Sequence, residues 1–377
     1  MRILHVGHVP FQPESGTPYH LSMALARHIP VTYLNPPMSL SRWVRSRHEW
    51  RNLPPMVEVV SIALPGGLRF LPRRSRLMFL VPLILRRIKG IDRDELVLWV
   101  SISNLSLPLY RQLRPRLTCY HRLDDFGAMK PSLMSLEDSL EKIADIIFVA
   151  SPNLQKQHQV HGREAILLPN AVDLALFAKA LYKETSIPSD LQGIPHPRIG
   201  FVGWVTPKWI DVDLILQVAR SRPEWSIVVI GSVSRHVPSF PSNVYLLGKR
   251  PYHLLPHYLK GLDVCLVPFK NNAITHGASP LKLYEYLAAG RAVVSTPVPD
   301  LPAFEGVVWC AEDAPNFIRA IEEALTVAHD PQEQRRRVEA VAPHSWEARA
   351  QTVIQHLVSA LNATSGFHVS TPKHPTP

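Results

Sequence analysis

Short runs of β-branched and aromatic residues alternate with longer stretches of helical periodicity along the first half of the chain. Strands are predicted at RILHV (2–6), VTYL (31–34), VEVVSI (57–62), LVLWV (96–100), LTCYH (117–121), DIIFVA (145–150) and AILLP (165–169). Between several of them lie periodic apolar segments, among them Thr17 to His28 and Leu133 to Ala144. Strand and helix in alternation predict a parallel sheet covered by helices. The rhythm stops after Phe177. The stretch from Lys179 to Pro197 is polar and carries Pro188, Pro195 and Pro197, so it reads as a linker.

A second series follows at RIGFVG (198–203), SIVVIG (226–231), NVYLLG (243–248), DVCLVP (263–268), AVVST (292–296) and GVVWC (306–310). Helical patterns near Pro315 to Val327 and Pro331 to Val341 complete it. The expectation is an α/β protein of two doubly wound, Rossmann-like domains. Residues 1–178 form the first, 179–197 the linker and 198–343 the second. Residues 344–362, with a helix from Trp346 to Leu361, cross back to the first domain. Residues 363–377, rich in Pro, Ser, Thr and His, form a disordered tail.

Composition agrees with two folded domains, since 377 residues exceed the usual size of one core. Hydrophobic residues make up 46% and charged residues 19%. The first residues reach Pro10, Pro13 and Glu14 without a small-residue cleavage site, and no run approaches the ~18 apolar residues that span a bilayer. A cytoplasmic location is therefore expected. Cys119, Cys265 and Cys310 are far apart and lie in strand-like runs, so all three are expected to be buried thiols, with neither zinc nor a disulfide. The net charge of +10 points to an anionic partner without choosing among nucleic acid, membrane and phosphorylated substrate.

The segment HGASPLKLYEYLAAGRAVVSTPVPDLP (276–302) carries the most chemistry. Ser279 as N-cap, Pro280 as first helical residue and Gly290 past the end predict a helix of about three turns. Its N-terminus, with Leu281 and Lys282 in the first turn, follows the end of a strand and offers free N–H groups to a diphosphate. Glu285, three residues beyond Lys282, is spaced either to accept ribose hydroxyls or simply to pair with that lysine. This segment resembles the donor motif of bacterial family 4 glycosyltransferases, especially of the polysaccharide and teichuronic-acid assembly type. The resemblance implies a GT-B fold, a sugar-nucleotide donor such as a UDP-sugar, no metal or separate cofactor, and a ribose contact at Glu285. Many members of that family carry a second glutamate at the place taken here by Gly277. IGFVGWVTPKW (199–209) resembles the phosphate loop of the same domain. Gly203 starts that loop, Trp204 stands where arginine is common, and Lys208 is the remaining cation. LLPNAVDLALF (167–177) resembles the crossover between domains, and HSWEARAQ (344–351) the start of the C-terminal helix.

On the first domain, YHRLDDF (120–126) puts a polar cluster at the end of a strand, where doubly wound sheets place ligands. Asp124, Asp125 and His121 are the candidate catalytic residues, because an inverting transfer needs a base near the acceptor hydroxyl. Gly7, His8 and His20 are weaker candidates on the acceptor side. Leu68 to Gly90 groups Arg69, Arg73, Arg74, Arg76, Arg86, Arg87 and Lys89 around an apolar centre interrupted by Pro82. Such a stretch suits an anionic membrane surface, and with it a lipid-linked acceptor in place of a free saccharide. The function expected is hexosyl transfer from a nucleotide sugar to a saccharide or lipid-linked acceptor in cell-surface polysaccharide or glycoconjugate synthesis, by a cytoplasmic enzyme. The basic stretch adds the expectation of peripheral contact with the inner face of the plasma membrane. A sugar-nucleotide epimerase of the same fold and an inactive homologue are the alternatives. Nucleic-acid binding is not expected, since no helix-turn-helix, zinc spacing or RNA-recognition motif is present.

Overall fold

The computed structural model describes residues 1–46, 50, 53–64, 72–88, 92–160, 162 and 164–365. Its strands follow the two predicted series. The first sheet contains β1 (Arg2–Val6), β2 (Val31–Leu34), β4 (Val57–Val60), β6 (Leu96–Val100), β7 (Leu117–Arg122), β8 (Ile146–Val149) and β9 (Ile166–Leu167). They are ordered β4-β2-β1-β6-β7-β8-β9, and every pair is parallel. A two-residue ladder of β3 (Met38–Ser39) and β5 (Ala63–Leu64) lies beside it. The second sheet contains β10 (Arg198–Val202), β11 (Ser226–Ile230), β12 (Val244–Leu246), β13 (Val264–Val267), β14 (Ala292–Ser295) and β15 (Val308–Cys310). Its order is β12-β11-β10-β13-β14-β15, again all parallel.

Parallel strands have both faces covered by their crossover helices, which is why β1, β6, β10 and β11 read as continuous apolar runs. Ile3, Val97, Trp99 and Phe148 pack on one face of the first sheet, and Leu4, Leu98, Val100 and Tyr120 on the other. The chain reverses its winding between β1 and β6 and again between β10 and β13. Loops diverge at those two points, leaving a crevice beyond the carboxyl ends of the strands.

The helix Trp346–Ser365 buries Trp346, Ala350, Val353 and Leu357, which share one face. That face joins the core of the first unit beside Leu21, Leu25 and Ile3, packing against the helix Thr17–Leu25. Full burial of each large apolar side chain contributes about 1.5–3 kcal/mol, so this helix is a strong clasp between the units. Arg349 adds hydrogen bonds from its guanidinium to the carbonyls of Pro169 and Asn170, 3.0 and 3.3 Å away.

Two expectations need correction. Pro82 does not interrupt the basic stretch: one helix runs from Arg73 to Arg87, with Pro82 on its exposed side and Leu80, Val81 and Ile84 buried. The missing N–H of Pro82 falls on the solvent side, where the carbonyl it leaves free is exposed to water. Leu68, Arg69, Lys89 and Gly90 lie outside the described residues. Cys310 is exposed, since it ends the edge strand β15, while Cys119 and Cys265 are buried as expected. Among the described residues, no helix is long and apolar enough to cross a membrane.

Candidate active site

The carboxyl edges of the two sheets face each other across a cavity of about 340 Å³. Gly203, Trp204 and Thr206 from the loop after β10 line it, together with Ser279, Pro280, Leu281 and Lys282. His8 from the loop after β1, Ser15 to Thr17, and Asp124 from the loop after β7 line the opposite wall. Two separate switch points thus share one cleft.

On the second unit the helix runs from Leu281 to Ala288, and Pro280, not Ser279, is its N-cap. Proline has no hydrogen-bonding side chain to cap with, so the amides of Leu281 and Lys282, which line the cleft, have no side-chain partner. Ser279 is used elsewhere. Its hydroxyl donates to Asp300 at 2.5 Å and accepts the Asn170 N–H at 3.0 Å. Asn170 returns its side-chain amide to the Ser279 carbonyl at 2.5 Å and accepts the Thr17 hydroxyl. Tyr284 also donates to Asp300, at 2.9 Å. Burial, opposed by these two donors, leaves the Asp300 pKa raised to about 6. Ser279 therefore fixes the helix start to the crossover between the units.

Lys282 and Glu285 pair at 2.6 Å. Glu285 is only 1% exposed and lies beneath Lys282, behind the cleft wall, with Oε1 accepting no hydrogen bond. The buried Tyr252 phenol has its pKa raised first by burial and then by the Glu285 carboxylate. Lys208 does not line the cleft. Its ammonium donates to the Met129 carbonyl at 3.0 Å, tying the second unit to the first. Trp204 is 61% exposed on the rim. Gly203 has φ 155°, and Gly231 opposite it comes so close that a Cβ there would lie 1.8 Å from the Gly203 carbonyl oxygen.

Gly277 has a steric explanation. A Cβ at this position would stand 2.9 Å from Asp125 Cβ and 3.1 Å from its backbone nitrogen. The short helix Ala273–His276 abuts Phe126–Met129 here, and Asn153 donates to the His276 carbonyl at 2.9 Å. A glutamate has no room while the units touch in this way.

The three candidate acid-base residues of the first unit separate clearly. Asp124 lies in the cleft wall, and burial followed by the charge of Asp125 pushes its pKa up to about 7. Asp125 is a structural group: it caps Phe126–Met129 through the Ala128 N–H at 2.9 Å and faces Arg122 at 3.6 Å. His121 belongs to the core, edge-on to Trp99 at 5.4 Å, and burial first, then His8, drives its pKa down to about 3. Neither lines the cleft.

Gly7, His8 and His20 separate as well. Gly7 is required by packing, because a Cβ there would sit 2.2 Å from the Tyr33 hydroxyl. His20 stacks on Trp346 at 5.6 Å and meets the Pro13 carbonyl at 3.0 Å in a different cavity. His8 alone reaches the cleft. Its Nδ1 meets Ser101 Oγ at 2.9 Å, while that hydroxyl donates to the Val6 carbonyl at 3.2 Å. Ser101 has one proton, so Nδ1 is the donor and Nε2 carries the lone pair. Burial lowers the His8 pKa to about 4, keeping the ring neutral.

Ser15, Thr17, Asn170, Thr206 and Phe269 also line the cleft and were missed by sequence reasoning. Asn170 and Thr206 lie within the singled-out segments 167–177 and 199–209, and Ser15 to Thr17 had a local signal of their own, a serine and glycine opening a helix just after a β-strand loop.

Comparison with known proteins agrees with this geometry. Residues 196–327, most of the second unit, match the family described as Glycosyl transferases group 1. A protein of Bacillus subtilis (strain 168), TuaH, described as a candidate teichuronic acid biosynthesis glycosyltransferase, is 27% identical over 238 residues. The match covers 59% of this chain and 59% of that relative, so it spans under two thirds of the relative's length. Sucrose-phosphate synthase from Thermosynechococcus elongatus superposes with TM-score 0.69 at 17% identity, covering 96% of this chain and all of the other. HepE of Anabaena, solved with UDP and glucose, gives TM-score 0.67 at 15% identity, covering 95% and 100%. A UDP-forming trehalose-phosphate synthase from Burkholderia vietnamiensis gives 0.68 at 12%, covering 97% and 98%. The fold is GT-B.

Proposed function

We propose, from the group 1 glycosyl transferase domain that this chain carries, that it transfers a hexosyl unit from a nucleoside-diphosphate sugar to a saccharide or lipid-linked acceptor in cell-surface polysaccharide synthesis. The observation that carries this reading is the shared cleft, with free helix amides and Lys282 on one wall and Asp124 with His8 on the other. The first-turn amides and Lys282 meet the diphosphate, where negative charge grows as the sugar leaves. Engaging the phosphates draws Lys282 away from Glu285, whose unpartnered Oε1 then accepts ribose hydroxyls. UDP is the favoured nucleotide, since the Anabaena neighbour was solved with UDP and glucose. No metal or further cofactor enters the scheme.

Asp124 is the residue placed to take the acceptor proton. In a displacement with inversion it is the base; with retention the departing phosphate takes that proton and Asp124 orients the acceptor. A sugar-nucleotide donor and the basic exposed helix Arg73–Arg87 support a location at the cytoplasmic face of the membrane, with peripheral contact to anionic lipid. The test is incubation with a panel of UDP- and GDP-sugars. Nucleoside diphosphate should be released from one of them, with strong loss in Lys282→Gln. A product that is the epimerised donor, with no nucleoside diphosphate released, would overturn transfer.

A further inference from the structure

A second cavity, of about 280 Å³, opens on the other side of His8. Its walls are mainly apolar: Pro36 and Pro37 after β2, Leu64 of β5, Leu77 and Leu80 of the helix Arg73–Arg87, and Leu105. One permanent charge faces this groove, that of Arg76. Among the described residues its guanidinium has no counter-ion and no hydrogen-bond acceptor, and Nε is buried without a partner. Among the described residues, no carboxylate lines the groove. Arg76 is half-buried, and its Nε–H, closed off from water without a partner, is a donor that an anionic ligand in the groove would satisfy.

The outer side of the same helix presents Met78, 78% exposed, and Phe79, followed by the exposed Arg86 and Arg87. The neighbouring helix Leu40–Ser46 leaves Leu40 and Val44 exposed, with Arg42 and Arg45 beside them. Apolar side chains ringed by arginines suit the interface of an anionic bilayer. The groove starts beside that surface and ends at His8, which it shares with the donor cleft.

We propose that this groove is the acceptor subsite, and that its occupant is a lipid bearing a phosphate or diphosphate headgroup, anchored by Arg76 and delivered past His8 to the donor. This deepens the transferase reading and rests on it. The apolar chain lies along Leu77, Leu80 and Leu64, and the headgroup meets Arg76 through bidentate hydrogen bonds. Any sugar beyond the headgroup then extends toward His8 and Asp124. No new bond-making step is involved, only the placement of the nucleophile.

The probe is farnesyl diphosphate, titrated calorimetrically into the full chain saturated with UDP, with farnesol and inorganic diphosphate as comparisons. Farnesyl diphosphate should bind at least tenfold more tightly than either, because it alone satisfies both the cation and the apolar walls. Arg76→Gln should reduce that advantage at least tenfold, Arg76→Lys, which keeps the charge without the bidentate fork, should fall between the two, and UDP affinity should stay within about twofold in both. Equal affinity for farnesol, an unchanged Arg76→Gln variant, or loss of farnesyl diphosphate binding once UDP is present would overturn the assignment. The last result would place the diphosphate in the donor cleft. Failure of UDP to bind at all would strike the transferase reading instead, and the two failures are therefore separable.

Discussion

The two walls of the cleft are built by opposite means. On the second unit, charged and hydrogen-bonding groups are already committed: Ser279 to Asp300 and Asn170, and Lys282 to Glu285. On the first unit they are held in reserve, with His8 neutral and its Nε2 free to accept, and Asp124 raised to a pKa of about 7. A wall that binds the same nucleotide at every turnover benefits from a helix start already fixed by Ser279, Asn170 and Asp300, so that the Lys282–Glu285 pair is the part that must open. A wall that must accept a hydroxyl and move its proton needs groups whose protonation can change.

This contrast can be broken most severely at Asp124. Asp124→Asn should lower turnover by about 10²–10⁴ while donor affinity stays nearly constant, measured by steady-state kinetics and calorimetry. Because its pKa is raised to about 7, the carboxylate fraction grows as pH rises through that value. The rate should climb with a midpoint near 7, and the climb should vanish in Asp124→Asn. The same shift costs stability in the opposite direction: the folded chain holds this proton more tightly than the unfolded one, so the contribution is complete below about 3.8 and lost as pH rises through about 7. Near-normal turnover in the variant would move the proton transfer to the departing phosphate.

A change on the committed wall should act on binding. Glu285→Ala removes one or two charge-assisted hydrogen bonds to ribose, each worth about 1.5–3 kcal/mol, and should weaken donor binding at least tenfold. Smaller still is Gly277→Glu, which presses on Asp125 across the inter-unit contact. Overpacking of about 1–3 kcal/mol should lower the melting temperature by several degrees. The smallest effect is expected at the periphery. Arg86→Gln with Arg87→Gln should reduce co-sedimentation with anionic vesicles by about 1 kcal/mol per charge, more visibly at low salt, and leave UDP binding untouched.

The same contrast explains what the sequence made legible. Both sheets could be read because buried parallel strands are apolar on both faces, and β1, β6 and β10 through β15 lie where continuous runs such as RILHV and SIVVI occur. On the second unit the site is contiguous, so one helix with its flanking serine and glycine gave Lys282 and Glu285 together. Even there Ser279 was misassigned as a cap, because its partners Asn170 and Asp300 are distant in sequence. On the first unit the wall is assembled from segments after β1, β7 and β9, and adjacent residues diverge in role. Asp124 reaches the cleft while Asp125 caps a helix, and His8 reaches it while Gly7 makes room for Tyr33. Nothing local distinguishes such neighbours. Arg76 lay within a recognised basic stretch, but its isolation in an apolar groove depends on β5 and the loop after β2.

The central claim is that a sugar nucleotide sits between these two walls with its ribose on Glu285. Calorimetric titration of the intact chain with UDP and GDP, repeated in Glu285→Ala, tests it most directly. One nucleotide should bind at a single site and lose at least tenfold in affinity in the variant. Absence of binding by both, or equal affinity in the two proteins, would contradict the account.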